Sequence, residues 1–573
     1  MEQKPNLLEL AAKILKNSIN VFLGREKKKR LIFEHLITVL MEVECIPFKE
    51  TGYFSQLICD YLDQKKDLAP FFNRYPAPEN FGAQIKEKAE NYPKANRSVL
   101  VDSLRRQYDH VEVSKATQKN IDALAAENTF TVVTGHQLNL FTGPLYFLYK
   151  IVSTINLAKK LNEEHSDNHF VPVYWMATED HDFDEINYFN LHGKKVQWSK
   201  KASGAVGRLS TEGLQDVYDI FAAELGNLGL TGNLKELFRK AYLEHSTLAS
   251  ATRYLANVLF GDQGLVIVDG DDVKLKELLV PFAKKDILDH TPYQKISGTI
   301  ETLGNLSPDY KIQVNPREIN YFYLKEGLRE RIILKKGRYH VVNTHIDFSK
   351  EELLEELEAH PERFSPNVVA RPLYQEIILP NLCYIGGGGE LAYWLELKSY
   401  FDELGVTFPM LMLRNSVLMI GQKQAEKVER MGLKVSHLFM EQHSLINKKI
   451  RDISNIDIDF TPQRQLLEEQ FKHMYQLAEQ TDKSFLGAVK AQEIKQKKGL
   501  DNLEKRLLKA QKRKLKDHVV RLTALQNELF PNQSLQERQL NFSEMYLKMG
   551  DTFIPLLLDT LDPFSGTFTI LKY

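Results

Sequence analysis

The sequence predicts an α/β fold, a parallel sheet covered by helices on both faces, followed by a helical C-terminal region. Two patterns carry that prediction. Four short, near-continuous apolar runs ending in or beside Gly, Ala or Asp are separated by helical stretches, as a doubly covered parallel sheet requires. Late in the chain, leucines recur every seven residues, the spacing of a coiled coil. The length, 573 residues, corresponds to three or four structural units at roughly 150 residues each.

From Asn6 to about Asp67 apolar residues return at three and four, as in Leu7, Leu10, Ile14 and later Leu36, Val39 and Leu40, which predicts amphipathic helices. Residues 1–125 are therefore read as a helical lead-in. Its first residues lack the uninterrupted apolar stretch of a signal peptide, so no export is expected. The first apolar run, FTVVTG from Phe130, leads through a polar turn to a helix opening at Gly143-Pro144, where proline suits the first turn. The others are FVPVYWMA (Phe170–Ala177), GLVIVD (Gly264–Asp269) and LCYIGG (Leu382–Gly387), the last followed by a helix with Leu391, Trp394 and Leu395. Segments at about 190–250 and 290–370 read as insertions, the second with strand-like INYFYL and RIILKKGRYHVV. The apolar stretch Val406–Ile420 is interrupted by Arg414 and Asn415, short of the ~18 residues a membrane span needs. A core over 126–420 follows from these features. From 421 to 573 the chain reads as a helical coiled-coil domain, with Leu508, Leu515, Leu522 and Leu529 at seven and Leu525 in an additional seam position. Leu500, Leu503 and Leu507 are one residue out of phase with that series, and Pro531 ends the helix.

Composition narrows the function. With 75 Lys+Arg against 76 Asp+Glu, the chain is not built mainly to coat nucleic acid or an anionic membrane, and any polyanion site must be local. Cys45, Cys59 and Cys383 are far apart and form no CxxC, which argues against a disulfide framework or a zinc module and for a reducing, cytoplasmic setting.

Three polar clusters follow the apolar runs, where ligands of open α/β sheets bind. Gly135, His136 and Gln137 end the first: glycine admits a phosphate to the backbone, and an imidazole can donate to developing charge. After the second come Glu179, Asp180, His181 and Asp182, able to bind a cationic amine, hold Mg²⁺ or act as acid and base; Asp180 and His181 are the candidates nearest the strand end. Gly386, Gly387, Gly388 and Gly389 with Glu390 follow the fourth, and consecutive glycine amides can form an anion-binding nest. Asn315, Arg317 and Arg371 add amide and guanidinium groups suited to carboxylates or phosphates. Ten basic residues lie between Lys495 and Lys516; without interleaved aromatics, they read as a solvated coiled-coil face rather than a nucleic-acid site.

The motifs TGHQLNLFTGPLYFLYK, VPVYWMATEDHDFDEIN, GLVIVDGDD, FSPNVVARPLYQE, YIGGGGELAYW and LQER at Leu535–Arg538 together resemble the cysteine ligase family of bacillithiol biosynthesis, BshC, from about residue 130 to the C-terminus. The resemblance implies a Rossmann-like core with connecting insertions, a coiled-coil domain linked with homodimerisation, a C-terminal tail returning toward the core, and addition of L-cysteine to glucosaminyl malate. The family usually has proline in the glycine turn where this chain has Gly388, a departure that bears on the stiffness of the turn.

An amide made from cysteine's carboxylate requires activation, so ATP, with Mg²⁺ as an option, is the expected co-substrate, and no structural metal is expected. On this reading His136, Asp180 and His181 are catalytic. His136 lies near the activating phosphates, Asp180 holds an ammonium or orients the sugar amine, and His181 assists proton removal. Gly135, Gln137, Asn315, Arg317, Arg371, Gly386, Gly387, Glu390 and Trp394 bind substrate. Neither nucleic acid nor membrane is an expected partner. Two alternatives stay open: a nucleotide-binding scaffold whose arm recruits a protein or tRNA, and an adenylating enzyme for another amino acid.

Overall fold

The four apolar runs become neighbouring strands of one sheet. In the computed structural model, which describes residues 42–227, 229–481 and 483–573, strands β1 (Thr129–His136), β2 (His169–Met176), β3 (Val266–Asp269), β4 (Asn381–Gly386) and β5 (Met410–Leu413) form a five-stranded sheet in the order β5-β4-β1-β2-β3. Every pairing is parallel. In register, His136 faces Met176, Met176 faces Asp269, and Gly386 faces Leu413. All five carboxyl ends therefore lie along one edge. All eight residues of β1 are buried, as expected of a central strand with both faces covered. Phe130, Val132, Phe170, Leu382, Ile385 and Met410 belong to a single apolar cluster with Leu157 and Leu161, which lie on helix α1 (Tyr146–Glu164). Helices α2 (Ala370–Ile378) and α3 (Gly388–Trp394) precede and follow β4. The predicted class, an α/β parallel-sheet core with a helical C-terminal region, is the fold observed.

The lead-in differs from its helical reading. Residues 6–41 of that reading lie outside the described residues. From Glu42 the chain enters a strand, Glu42–Pro47, antiparallel to Thr567–Lys572, which also neighbours Val417–Ile420. Helices do follow, at Gln56–Leu62, Phe81–Asn91, Lys94–Tyr108 and Lys115–Ala123. The stretch read as one apolar segment, Val406–Ile420, is instead two strands in two sheets. Arg414, Asn415 and Ser416 are buried between them.

The first insertion is a hairpin (Tyr188–Leu191 with Lys194–Gln197) and three helices, Leu214–Leu225, Thr231–Leu243 and Leu248–Phe260. The second contributes helix Thr291–Leu306 and most of an antiparallel sheet built on Tyr321–Lys325, Leu328–Lys335 and Arg338–Val341. Among the described residues no helix is long and apolar enough to cross a membrane.

Two compact units are present. One holds the sheets and includes Tyr53–Met419 and Gln536–Tyr573; the other is Glu50–Gly52 with Ile420–Leu535. In the second unit, helix α4 (Thr461–Ala478) packs on helix α5 (Lys483–Lys514) through Leu467, Phe471, Ala478 and Val489, with Tyr475 and Leu500 against them. Arg464 pairs with Asp501 at 2.8 Å and also with Glu504. The leucine series is not one continuous seam: Leu515 sits at a break (φ −100°, ψ 29°) before helix α6 (Lys516–Leu529). Leu522, Leu525 and Leu529 are buried, whereas Leu508 and Leu515 are half-buried. Of the out-of-phase leucines, Leu500 packs against α4, whereas Leu503 is exposed.

Candidate active site at the carboxyl edge of the parallel sheet

His136 is the last residue of β1. The chain then makes a tight turn in which Phe141 (φ 48°) and Thr142 (φ 68°) adopt left-handed angles, costing about 1–3 kcal/mol each. Surrounding groups hold that turn: the Asn541 amide donates to the carbonyls of Phe141 and Gly143, both at 2.7 Å, and the Phe141 amide donates to the Tyr242 hydroxyl. The turn launches α1, which brings Tyr146 and Phe147 against the imidazole at 5.3 and 5.0 Å between ring centroids. His136 is only 7% exposed. Its Nδ1–H donates to the Gln137 carbonyl at 2.8 Å, so Nε2 carries the lone pair, and that atom is buried without a partner. Burial first, and then the Lys150 ammonium, push its pKa down from 6.5 to about 3. The ring is neutral in ordinary buffers. In this tautomer Nε2 can accept a hydrogen bond but has no proton to donate, which revises the role read from its position alone.

One helical turn beyond Tyr146, Lys150 is buried and reaches two groups: it donates to the Gly135 carbonyl at 2.6 Å and pairs with Glu390 at 2.6 Å. Glu390 also accepts from the Gly387 amide (2.8 Å) and the Tyr384 hydroxyl (2.7 Å). Burial alone would raise its pKa, but Lys150 and these donors hold it below the usual carboxylate value. One amide of the predicted nest is thus already taken by this carboxylate. Gly135 has a steric reason to lack a side chain: a Cβ there would lie 3.2 Å from the Tyr384 hydroxyl and 3.7 Å from Arg371 Nη1.

Arg371, at the start of α2, donates to Gln375 at 3.2 Å and to the Tyr393 hydroxyl at 3.3 Å, and lies near the Trp175 and Tyr384 rings. Among the described residues it has no carboxylate partner. Arg414 pairs with Glu537 at 2.7 Å and sits 5.1 Å over the Tyr146 ring, with its Nε buried and unpartnered. Lys150, Arg371 and Arg414 face two carboxylates, Glu390 and Glu537, so one positive charge is left over, on the half-buried Arg371. The arrangement can bind an anionic group and offer a neutral base beside it.

Gln137 joins this region to the cluster after β2: its amide donates to Asp180 at 2.9 Å and to Glu185 at 3.1 Å. Asp180 also accepts the His181 backbone amide at 2.7 Å. The His181 ring contacts Arg329 of the Leu328–Lys335 strand and lies against Phe322. The ligand atoms of Asp180, His181 and Asp182 lie within 4.8 Å of one another, but Asp180 and His181 are already committed to these hydrogen bonds. Deeper, Glu179 pairs with Lys276 at 2.6 Å, which also meets Asp271, and Asp271 pairs with Arg208.

The structure brings together Gly135, His136, Gln137, Arg371, Gly387, Glu390 and Asp180, with His181 on the outer side. Asn315 and Arg317 are exposed, and of the two only the Arg317 backbone has a described partner, Asn320; no described contact joins either to the cluster. Trp394 is fully buried against Tyr384 (4.7 Å), Phe401 and Phe408. It backs the tyrosine and does not line the site. Gly386 is packed against Tyr384, Glu390 and Leu391, so it makes room rather than contacting a ligand. Gly388 occupies the first position of α3, where proline is also well accommodated. Sequence reasoning missed Lys150, Tyr384, Tyr393, Arg414 and Glu537. A trace of two was visible: Lys150 is the lone charge between Pro144 and Ala158, and Arg414 interrupts the apolar stretch it sits in.

Comparison with known proteins places this geometry in a family. Residues 41–415 match the description "Bacillithiol biosynthesis BshC, N-terminal Rossmann-like domain", and residues 417–573 match "Bacillithiol biosynthesis BshC, C-terminal coiled-coil domain". A protein named "Putative cysteine ligase BshC" from Flavobacterium johnsoniae is 57% identical over 531 residues, covering 93% of this chain and 100% of its own. One of the same name from Christiangramia forsetii is 58% identical over 537 residues, covering 93% and 99%. The Bacillus cereus relative is 28% identical over 550 residues, covering 93% and 100%.

Proposed function

The chain belongs to the BshC family, ligases of bacillithiol biosynthesis, and from that premise we propose that it joins the carboxyl group of L-cysteine to the amine of glucosaminyl malate. The observation that supports this reading most directly is the open Nε2 of a neutral, buried His136 in the same cluster as an Arg371 guanidinium that has no carboxylate partner among the described residues. Amide formation from a carboxylate needs a leaving group and a base, and these two residues suit those needs. ATP, arriving with its Mg²⁺, would supply the activating group. Arg371 would hold the phosphate or carboxylate charge, an anion suited to its planar fork of donors. As the amine nitrogen attacks the activated carbonyl carbon, the leaving group departs with the bonding electron pair and the amine's proton passes to His136 Nε2, whose pKa the negative charge of the bound anion would raise from its ligand-free value of about 3. Asp180, fixed by Gln137, would bind an ammonium, and His181 beside it would assist proton transfer.

The same reading includes a cytoplasmic homodimer. Its supports are the three free cysteines, of which Cys59 and Cys383 are buried, and a set of exposed apolar side chains on α4 and α5: Leu466 at 62%, Leu477 at 60%, Ile494 at 59% and Leu503 at 53% exposure.

Purified protein incubated with ATP, glucosaminyl malate and cysteine labelled with ¹⁸O in its carboxylate tests the chemistry. Product amide with one ¹⁸O transferred to AMP indicates adenylylation, and transfer to phosphate indicates an acyl phosphate. Amide formation from serine at a rate equal to that from cysteine would contradict the substrate assignment, and ¹⁸O in neither nucleotide nor phosphate would contradict ATP activation.

A further inference from the structure

The motif FSPNVVARPLYQE ends in Gln375 and Glu376, two buried polar residues that the proposed reaction does not use. Their hydrogen bonds lead to Arg371. Four residues after Arg371 on α2, Gln375 lies on the same helical face, and its Oε1 accepts from Arg371 Nη1 at 3.2 Å. Its Nε2 donates to Glu376 Oε1 at 3.0 Å. Glu376 in turn accepts from the Asn381 amide at 2.6 Å and pairs through its other oxygen with Lys88 at 3.0 Å. Lys88, on the helix Phe81–Asn91, is also buried and donates to the Thr407 carbonyl at 3.3 Å.

These contacts fix which way the Gln375 amide points. Turned over, it would set its NH2 against the guanidinium and its oxygen against the Glu376 carboxylate, donor facing donor and acceptor facing acceptor. Glu376 therefore orients the amide, and the amide oxygen orients the guanidinium. The negative charge of Glu376 is matched by Lys88, so what Arg371 meets at position 375 is a neutral oxygen. Its other acceptor, the Tyr393 hydroxyl at 3.3 Å, is neutral as well. A carboxylate at position 375 would hold Arg371 more tightly but would also neutralise it, because arginine–carboxylate pairs are charge-assisted and often bidentate. An amide gives direction with little compensation of charge.

We propose that Gln375 is a positioning residue, a neutral tether that aims Arg371 at the bound anion and leaves its positive charge for a phosphate or carboxylate oxygen; this rests on the reading of Arg371 as the anion-binding group. Lys88 and Glu376 act one step further back, by fixing the amide that fixes the guanidinium.

The test uses the full-length protein and calorimetric titration with pyrophosphate and, separately, with L-malate, which probe for a phosphate and for a carboxylate without requiring ligation. The parent should bind at least one of them, and R371M should lose that binding. Q375M removes the tether and should weaken binding roughly three- to tenfold, the worth of a neutral hydrogen bond. Added to R371M it should change nothing further, because it acts through the guanidinium. Q375E keeps the shape of the amide. Around it stand Arg371 and Glu376 on the same helix, Lys88 beyond Glu376, and Tyr384, Tyr393 and Glu390 about the guanidinium. Burial and the adjacent Glu376 favour its acid form, which accepts from Arg371 and donates to Glu376 as glutamine does; once ionised, it neutralises Arg371. Its affinity relative to the parent at the same pH should therefore fall as pH rises from about 6 to about 9, reaching at least about tenfold weaker at the upper end. A residue that only packs the helix would show no such profile, and Q375E decides the matter if Q375M melts too low to titrate. Q375E binding as tightly as the parent at about pH 9 while R371M fails to bind overturns the tether and leaves the reading of Arg371 standing. An equal loss from Q375M with and without Arg371 also overturns it. R371M binding as the parent does, or a parent that binds neither anion, overturns both.

Discussion

Lys150 and Glu390 form an ion pair of 2.6 Å in which the ammonium is 5% exposed and also donates to the Gly135 carbonyl. Through Glu390 the pair reaches the Gly387 amide and the Tyr384 hydroxyl. Two groups from opposite ends of the core sequence thus tie the ends of β1 and β4 to α1 and α3.

Removing one partner of that pair leaves the other charge buried. Glu390→Gln should cost about 3 kcal/mol of stability, as breaking buried pairs does, while Lys150→Met combined with Glu390→Gln should recover part of it. Urea unfolding of the two single variants and the double variant gives the coupling. Additive losses would show that the pair does not act as a unit.

Stability should also report the state of His136. Its pKa falls from 6.5 in the unfolded chain to about 3 in the fold, so between those values the unfolded state holds the extra proton. Stability from this group is therefore complete above about pH 6.5 and is lost as pH falls toward 3, at up to about 1.4 kcal/mol per pH unit. The difference in unfolding free energy between parent and His136→Asn should narrow over that window. A constant difference from pH 7 to pH 4 would mean that His136 titrates normally.

Replacement by asparagine is also the better functional probe. The ring is wedged between Tyr146 and Phe147, so alanine would open a cavity costing about 2–3 kcal/mol, whereas asparagine keeps a donor for the Gln137 carbonyl. His136→Asn should fold and lose about 100-fold or more in turnover. Full turnover would assign the base elsewhere.

Arg371→Met should raise KM for the anionic substrate about tenfold or more while shifting Tm by only a few degrees, because it breaks no ion pair among the described residues. Steady-state kinetics beside a thermal melt distinguishes this from unfolding. A large Tm loss with KM unchanged would make Arg371 a structural residue.

Much of the core could be read from the sequence because buried parallel strands are nearly uniform in their apolar content. β1 to β4 announce themselves in this way, and the polar residues just beyond each strand were found at the sheet edge. Strand β5 was harder, since Met410–Leu413 and Val417–Ile420 merge into one apolar stretch and only pairing separates them. Glu42–Pro47 was illegible for a related reason: its partner, Thr567–Lys572, is at the other end of the chain. Lys150 and Arg414 were overlooked because their counter-charges, Glu390 and Glu537, are distant in sequence. Trp394 was misplaced because a position near a glycine turn says nothing about which side of the helix faces the ligand. Leu515 fits the heptad by number, and the break at that residue depends on backbone angles that spacing does not encode.

The most direct test of the central claim is mass spectrometry of low-molecular-weight thiols in cells lacking this protein. Glucosaminyl malate should accumulate and bacillithiol should be absent. The intact gene should restore the thiol, and His136→Asn at equal protein abundance should not. Bacillithiol persisting in the deletion strain, or full restoration by the variant, would contradict an amide ligation that depends on the open nitrogen of His136.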